Sequence, residues 1–182
     1  TKVGTCRKGK TGTKSQWHPD SAVFKTIKAE DALILRRIRE MAFLNRGLTI
    51  HYENHASKHK ESFHFDGGIS DYVKFLCDGM AEVSPTEPIF GEGKVTLTSR
   101  PGDCLVQIAL TYSEVDHEKI LSFCNNIVTG AGGTHVTGFK NAYTRVINTL
   151  ARQYGLLKDS ASNLNGDDVR EGLTAIISIR FP

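Results

Sequence analysis

The most constraining feature of this sequence is its last third, residues 122–182. The pattern predicts a strand end, a glycine-rich turn, a helix over about 133–154, a polar loop, a helical turn at 167–171 and a strand over 173–181. The long helix carries an apolar stripe made of Val136, Phe139, Tyr143, Val146, Ile147, Leu150 and Tyr154. This succession indicates a mixed α+β fold, in which a helix packs on a sheet.

The preceding residues predict further helices and strands. Apolar residues recur at helical spacing over 29–46 and 69–78, and two alternating segments predict a hairpin of 48–53 with 61–66. A short extended segment is expected at 13–18, and a loop with at most one edge strand at 79–94. Three more segments predict successive antiparallel strands, at 95–98, 104–112 and 119–125. We therefore predict a four- or five-stranded sheet with helices on one face.

Composition narrows the class of protein. The 182 residues are 39% hydrophobic and 24% charged, which is ordinary for a globular domain. No apolar run reaches the roughly 18 residues that span a bilayer, and the basic N-terminus does not resemble a signal peptide. The four cysteines are widely spaced, which favours free thiols in a reducing cytosol; they are Cys6, Cys77, Cys104 and Cys124.

Two glycine-rich segments could suggest phosphate binding. Gly4 to Thr11 satisfies GxxxxGK[ST], but it lacks the preceding strand and the following helix of a P-loop, so a chance match is favoured. Gly130 to His135 does open a helix, whose free N–H groups could hold a phosphate. The simpler interpretation is a tight reversal with Thr134 as the cap.

The titratable residues do not predict a reaction centre. His51, His55 and His59 recur every four residues, but they fall on a hairpin, where their side chains need not converge. Asp167 and Asp168 flank a helix start, where the helix dipole favours acids. We predict no catalytic, cofactor or metal site.

The basic residues of the long helix form a split surface. At 100° per residue, Arg145 and Arg152 lie about 20° apart, whereas Lys140 lies about 140° from Arg145. Spacing alone favours a solvated helix face. The same holds for Arg36, Arg37 and Arg39 on the first helix.

Several sequence blocks, in order, resemble one known family. They are TGTKSQWHPDSAVF, LRRIREMAFLNRGLTI, FHFDGGISDYVKFL, SFCNNI, GGTHVTGF, TRVIN and DDVREGLTAIISIRFP. Together they resemble the transducer domain of the B-type subunit of bacterial type IIA topoisomerases, the gyrase and topoisomerase IV family. Within these blocks, the segment LNRGL is modestly more similar to gyrase than to topoisomerase IV. The resemblance divides the chain into the end of an ATPase domain with its linker, 1–24, and the transducer, 25–182.

This resemblance implies a ribosomal-protein-like βαβ domain with a left-handed crossover. It also implies a mechanism in which the domain transmits the nucleotide state of the ATPase domain. Two ATPase domains dimerise on ATP, and the transducers relay that event to the DNA gate around a transported duplex. Residues of the long helix would then line the DNA cavity, and the candidates are Thr134, His135, Lys140, Arg145 and Arg152. Many relatives have Arg where this chain has Lys140, and Lys lacks the bidentate fork of Arg.

The resemblance also implies where the cofactors and partners belong. The ATP-binding helices would precede this chain and the Gln-Thr-Lys loop would follow it, so ATP and Mg²⁺ would serve the parent enzyme, and the isolated fragment is expected to be inactive. Expected partners are duplex DNA through weak phosphate contacts, a gyrase A-type subunit and a second B subunit, in the cytoplasm and without a membrane. The alternatives are a stand-alone nucleic-acid-binding module of the same fold and a small P-loop NTPase.

Overall fold

A computed structural model describes residues 9, 11–25, 30–81, 87–96 and 102–182 of the chain. Its elements are α1 (Asp31–Leu44), β1 (Ile50–Asn54), β2 (His59–Phe63), α2 (Ile69–Leu76), β3 (Ile89–Thr96), β4 (Asp103–Tyr112), β5 (Lys119–Cys124), β6 (Ile127–Val128), α3 (Thr134–Gln153), α4 (Gly166–Arg170) and β7 (Leu173–Arg180). The predicted α+β class is confirmed. Most of the GxxxxGK[ST] match, together with Cys6, lies outside the described residues.

The main sheet has five strands in the order β3-β4-β7-β5-β6. The last strand, β7, lies at its centre, antiparallel to β4 and parallel to β5. The predicted sheet of four or five strands is confirmed and is a mixed sheet of five, but the expectation that β4 and β5 are antiparallel neighbours is wrong. Six successive residues of β7, Leu173 to Ser178, are buried, and a strand with so little polar surface is most stable between two other strands.

Helices pack on both faces of this sheet, which corrects the expectation of a single covered face. Ala109, Phe123 and Ile176 belong to a core formed with α1 and α2. Their sequence neighbours Leu110 and Ala175 point the other way and pack with two side chains of α3, Phe139 and Tyr143. Because side chains alternate along a strand, a strand that is apolar at every position requires cover on both sides.

The strands β5 and β7 and the helix α3 between them form a βαβ unit with adjacent parallel strands. The helix extends over Thr134–Gln153, within a residue of the predicted span at each end. The chain reverses after α3 at Gly155, where φ is 70°. A left-handed conformation of this kind costs glycine little, which fits its place after the helix.

The hairpin β1–β2 forms a separate two-stranded sheet with Ile50 opposite Phe63. Asp31 in the first turn of α1 holds it through three side-chain hydrogen bonds. Its carboxylate accepts from Tyr52 Oη at 2.6 Å, Asn54 Nδ2 at 2.7 Å and Ser57 Oγ at 2.8 Å. These bonds, led by the one from Asn54, lower the pKa of Asp31 to about 2.

Two boundaries differ from the sequence predictions. The edge strand β3 begins at Ile89, so the strand predicted at 95–98 starts six residues earlier, inside the segment 79–94 that was expected to be a loop with at most one edge strand. Two glycines in this strand, Gly91 and Gly93, weaken its sequence signal. Residues 13–18 are exposed and lie in no helix or strand. No helix within the described ranges has the length and apolarity needed to cross a bilayer.

Candidate nucleic-acid interface

The turn that leads into α3 is built from glycines with positive φ. Gly132 has φ 78° and Gly133 has φ 146°, conformations that side-chain-bearing residues rarely adopt. Gly133 is the N-cap and no side chain caps the helix, so Thr134 is the exposed first helical residue and not the expected cap. The N-terminal end of α3 therefore keeps its positive dipole without an acidic or capping side chain of its own.

A short polar chain fixes His135 against the sheet. Its Nε2 lies 3.2 Å from Thr129 Oγ1, which lies 2.5 Å from Ser122 Oγ on β5. His135 is half-buried in this position. The start of α3 is thus tied to β5 through Thr129.

Lys140 lies between the second and third turns of α3 and forms an ion pair with Glu118, which directly precedes β5. The second oxygen of Glu118 accepts from Arg170 Nε at 2.7 Å. Arg170 is buried and makes two further bonds, to Thr144 Oγ1 at 3.1 Å and Asp167 Oδ1 at 2.8 Å. One carboxylate therefore joins α3, α4 and the start of β5.

Glu118 is charged in this arrangement. Partial burial acts to raise the pKa of its carboxyl, but the hydrogen bonds and positive charges of Lys140 and Arg170 outweigh it and lower the pKa. The exposures of the three side chains differ: 32% for Glu118, 31% for Lys140 and 11% for Arg170. Of the two cations, Lys140 is the one that solvent and ligands can reach.

A recess of about 290 Å³ lies beside this ion pair, at the start of α3. It is lined by Glu118, Ile120, Leu121, Ser122, Val128, Thr129, Gly130, Gly132, Val136 and Lys140. Its walls combine backbone of the glycine-rich turn with one cation and one anion. Such a recess has room for a small anion, provided that Lys140 is free to bind it.

The other predicted basic residues lie apart from Lys140. Arg145 is exposed, and its side chain contacts no partner within the described part of the chain. Arg152 is half-buried because its guanidinium donates to Ala161 O at 2.7 Å, which ties it to the loop after α3. Thr134, His135 and Lys140 lie in the first two turns of α3, Lys140 beside the ion pair with Glu118 and His135 bonded to Thr129, whereas Arg145 and Arg152 lie further along the helix.

Asn148 fastens that same loop to α3. Its Oδ1 accepts from Leu164 N at 2.7 Å, and its Nδ2 donates to Leu164 O at 3.2 Å and to Thr144 O at 2.9 Å. It is 5% exposed. Asn148, Glu118 and Arg170 were not predicted from the sequence, because a polar residue whose partner is distant along the chain has no local signature.

The apolar stripe of α3 is only partly covered. Phe139 and Tyr143 pack on the sheet, while Val146 and Leu150 remain 48% and 38% exposed. An apolar groove of about 510 Å³ lies between this stripe and the strands β3, β4 and β7. It opens on a different side of the helix from the recess.

Arginines of α1 are engaged within the fold. Arg37 pairs with Glu40 and donates to Asn126 O at 2.8 Å. Arg39 contacts Glu61 at 3.4 Å and lies 5.2 Å from the ring centroids of both Phe63 and Phe75. Both side chains thus have partners within the fold.

The hairpin histidines each contact a residue nearby on the hairpin and do not converge. His51 lies 2.7 Å from Ser62 Oγ, and His59 lies 3.2 Å from Glu61. Within the described ranges, no group of three or more His, Cys, Asp or Glu side chains is arranged to hold a metal ion. Cys77, Cys104 and Cys124 are free thiols, as predicted.

The fold and this site define the class: an α+β domain with a central βαβ unit and a basic helix start. The family model of DNA gyrase B matches residues 68–182. The chain is 41% identical over 170 residues to the DNA gyrase B protein of Clostridium acetobutylicum, and 45% identical over 175 residues to that of Bacillus mycoides. The chain belongs to the DNA gyrase B family.

A solved structure matches the fold over nearly the whole chain. This is the 43K ATPase domain of Thermus thermophilus gyrase B in complex with an aminocoumarin, with a TM-score of 0.80 and 32% identity over 99% of this chain and 47% of that chain. The curated relatives are covered less fully: 93% of the chain matches 26% of the Clostridium protein, and 95% matches 42% of the Bacillus protein. The chain thus spans less than half the length of either relative.

Proposed function

We propose that this chain is the transducer of a gyrase B protein, which relays ATP binding and hydrolysis to the DNA gate. Residues 1–24 would close the ATPase domain and lead into the transducer at 25–182. The observation that carries this proposal is the bonding of Arg170 to Glu118, Thr144 and Asp167, because it links α3, α4 and the segment that precedes β5. A relay must be stiff between the two ends that it connects.

Further contacts support stiffness along the whole of α3. His135 is bonded near its start, Asn148 in its second half and Arg152 at its end. The helix therefore follows the sheet and the loop along its length. A displacement applied at one end of such a unit reaches the other end with little loss.

The DNA-facing part of the proposal concerns the start of α3 and its solvent face. Thr134, His135 and Lys140 would approach the backbone of a transported duplex at the helix start, and Arg145 and Arg152 further along. Only a few phosphates would be met per chain, so binding by this domain alone would be weak and salt-dependent. Weak binding would allow the transported duplex to leave the cavity again.

The parent protein would be an ATP-hydrolysing type IIA topoisomerase, an isomerase of the cytoplasm. ATP and Mg²⁺ would bind outside this fragment, which by itself would have no activity. Duplex DNA, a gyrase A-type subunit and a second gyrase B protein in the ATP-bound state would be its partners. If the reconstituted parent enzyme introduces negative supercoils into DNA, it is a gyrase and not a topoisomerase IV.

The test uses charge reversal in the full-length parent, reconstituted with its A-type subunit. Lys140→Glu and Arg145→Glu should lower supercoiling at least tenfold while DNA-independent ATP hydrolysis stays within about twofold. Lys158→Glu is the matched control, since Lys158 is exposed in the loop after α3 and undergoes the same change of charge. Normal supercoiling in both α3 variants would refute the cavity role.

Two measurements on the chain itself address the alternatives. Fluorescence anisotropy with duplex DNA should give weak binding, and tight sequence-specific or RNA-selective binding would favour a stand-alone nucleic-acid-binding module. Calorimetry with ATP and Mg²⁺ should give no heat of binding. A measurable affinity for ATP would instead indicate a nucleotide site within these residues.

A further inference from the structure

We propose that Glu118 competes with DNA phosphates for Lys140 and so keeps the affinity of the α3 start for DNA low. This inference rests on the proposed DNA cavity and adds a residue that the proposed cavity does not include. Glu118 would act as an internal substitute for a phosphate. Its carboxylate stays paired with Lys140 until a DNA duplex binds at the start of α3.

The geometry allows Lys140 to leave without disrupting the rest of the cluster. Arg170 holds one oxygen of Glu118 at 2.7 Å and is itself anchored by Thr144 and Asp167. Lys140 contacts the other oxygen. When Lys140 turns away, Glu118 keeps a buried cationic partner and is not left as an isolated charge.

The accessibility of the two cations points to the same division of roles. Lys140 is nearly three times as exposed as Arg170, at 31% against 11% of the side chain. An ion pair between partly exposed side chains is weak and is screened further by salt. A phosphodiester can therefore exchange with the carboxylate of Glu118, whereas the contact of Glu118 with Arg170 persists.

The recess supplies a place for that exchange. Lys140 and Glu118 form part of its wall, and Gly130 and Gly132 form another part. The recess lies at the positive end of a 20-residue helix that has no side-chain cap. Both features favour an anion there once Lys140 is available.

The experiment measures DNA binding by this chain after Glu118→Gln. Glutamine keeps a carbonyl oxygen for Arg170 but loses the charge that holds Lys140. By fluorescence anisotropy with a duplex of about 20 base pairs, the variant should bind about three- to tenfold more tightly at about 0.1 M salt, with a log–log salt slope steeper by roughly one. Asp116→Asn is the matched control, because it removes one negative charge from a neighbouring position, where Asp116 pairs with His117.

The outcomes separate this inference from the proposed function. The increase in DNA affinity should vanish in the double variant Glu118→Gln/Lys140→Gln. If the increase persists in the double variant, or if Asp116→Asn produces the same increase, the proposed competition is wrong. If Arg145→Gln and Lys140→Gln leave DNA binding unchanged in every background, the DNA cavity itself is refuted.

A measurement on the unaltered sequence covers the case in which Glu118→Gln does not fold. Lysines of the chain are reductively methylated with ¹³C, and the signal missing from Lys140→Arg identifies Lys140. Adding duplex DNA should shift this signal, while that of Lys158 stays in place. A Lys140 signal unmoved at saturating DNA would contradict the exchange.

Discussion

Asn125 holds the backbone of Phe181 through two hydrogen bonds. Its Oδ1 accepts from Phe181 N at 2.8 Å, and its Nδ2 donates to Phe181 O at 3.1 Å. Asn125 and Asn126 form the two-residue turn between β5 and β6 with φ of 49° and 65°, values typical of a type I′ turn. This turn thereby fixes the direction in which the chain leaves β7.

Replacing Asn125 by Ala should destabilise the fold. Two exposed hydrogen bonds are lost, and Ala at a positive φ adds a backbone penalty, for a total of about 2 kcal/mol in the free energy of unfolding. Urea denaturation followed by circular dichroism measures the change. Asn125→Gly is the control, because glycine accepts the positive φ and loses only the bonds, so it should cost about 1 kcal/mol. If both variants lose the same free energy of unfolding, the hydrogen bonds to Phe181 account for the whole effect and the positive φ adds no penalty.

Asp31 should make the stability of the chain fall in acid. The hydrogen bonds from Asn54, Tyr52 and Ser57 lower its pKa from 3.8 to about 2 in the folded state. A lowered folded-state pKa stabilises the protein above the ordinary value, and this contribution is lost as pH falls from about 4 through 2. Thermal melting of Asp31→Asn across about pH 2 to 6 should show a flatter acid limb than that of the unaltered chain.

Asp66→Asn serves as the control for Asp31. It removes an exposed carboxylate whose side chain pairs with His64. A flatter acid limb in this variant as well would mean that general charge repulsion, not the bonds to the hairpin, sets the acid response.

The sequence predicted the elements that depend on local periodicity. The helix α3 was expected over 133–154 and is Thr134–Gln153, and both strands of the hairpin were found. Local patterns decide these elements because one face of each is apolar and the other polar. The pairing of β7 between β4 and β5 was missed, since three apolar strands can be ordered in several ways without changing any local pattern.

The candidate site was predicted only in part. Lys140 became a candidate through the family resemblance, because spacing alone favoured a solvated helix face, and its partner Glu118 is 22 residues away. Arg170 is 52 residues from Glu118 and lies in a short helical turn whose sequence is typical of a solvated segment. A charge is identified as buried and paired only when the fold brings distant segments together, which no spacing rule on one sequence reveals.

Replacing Asn148 by Ala should release the loop that follows α3. The change removes three hydrogen bonds of a buried side chain, one accepted from Leu164 N and two donated to Leu164 O and Thr144 O, and should cost about 2–3 kcal/mol. Hydrogen exchange at residues 156–165 should accelerate at least tenfold. The neighbouring Thr149→Ala is the control, since Thr149 is exposed and its hydroxyl bonds to Arg145 O in its own helix. Unchanged protection of the loop in Asn148→Ala would contradict the proposed role of Asn148.

Gly172 should tolerate no side chain, because the start of β7 passes close to the segment after β4. A Cβ at this position would lie 2.6 Å from Ser113 O and 3.3 Å from Val115 O, and φ is 76°. Gly172→Ala combines backbone strain with a clash against main-chain atoms that cannot rotate away, and we expect a loss of about 3–4 kcal/mol in urea denaturation. Gly155 has a similar φ of 70°, but a Cβ there would meet no heavy atom of the described residues within 4 Å, so Gly155→Ala isolates the strain. That control should cost about 1 kcal/mol. A Gly172→Ala variant no less stable than Gly155→Ala would mean that the close approach to Ser113 is relieved by movement of the strand, and that β7 is not held there as tightly as its burial indicates.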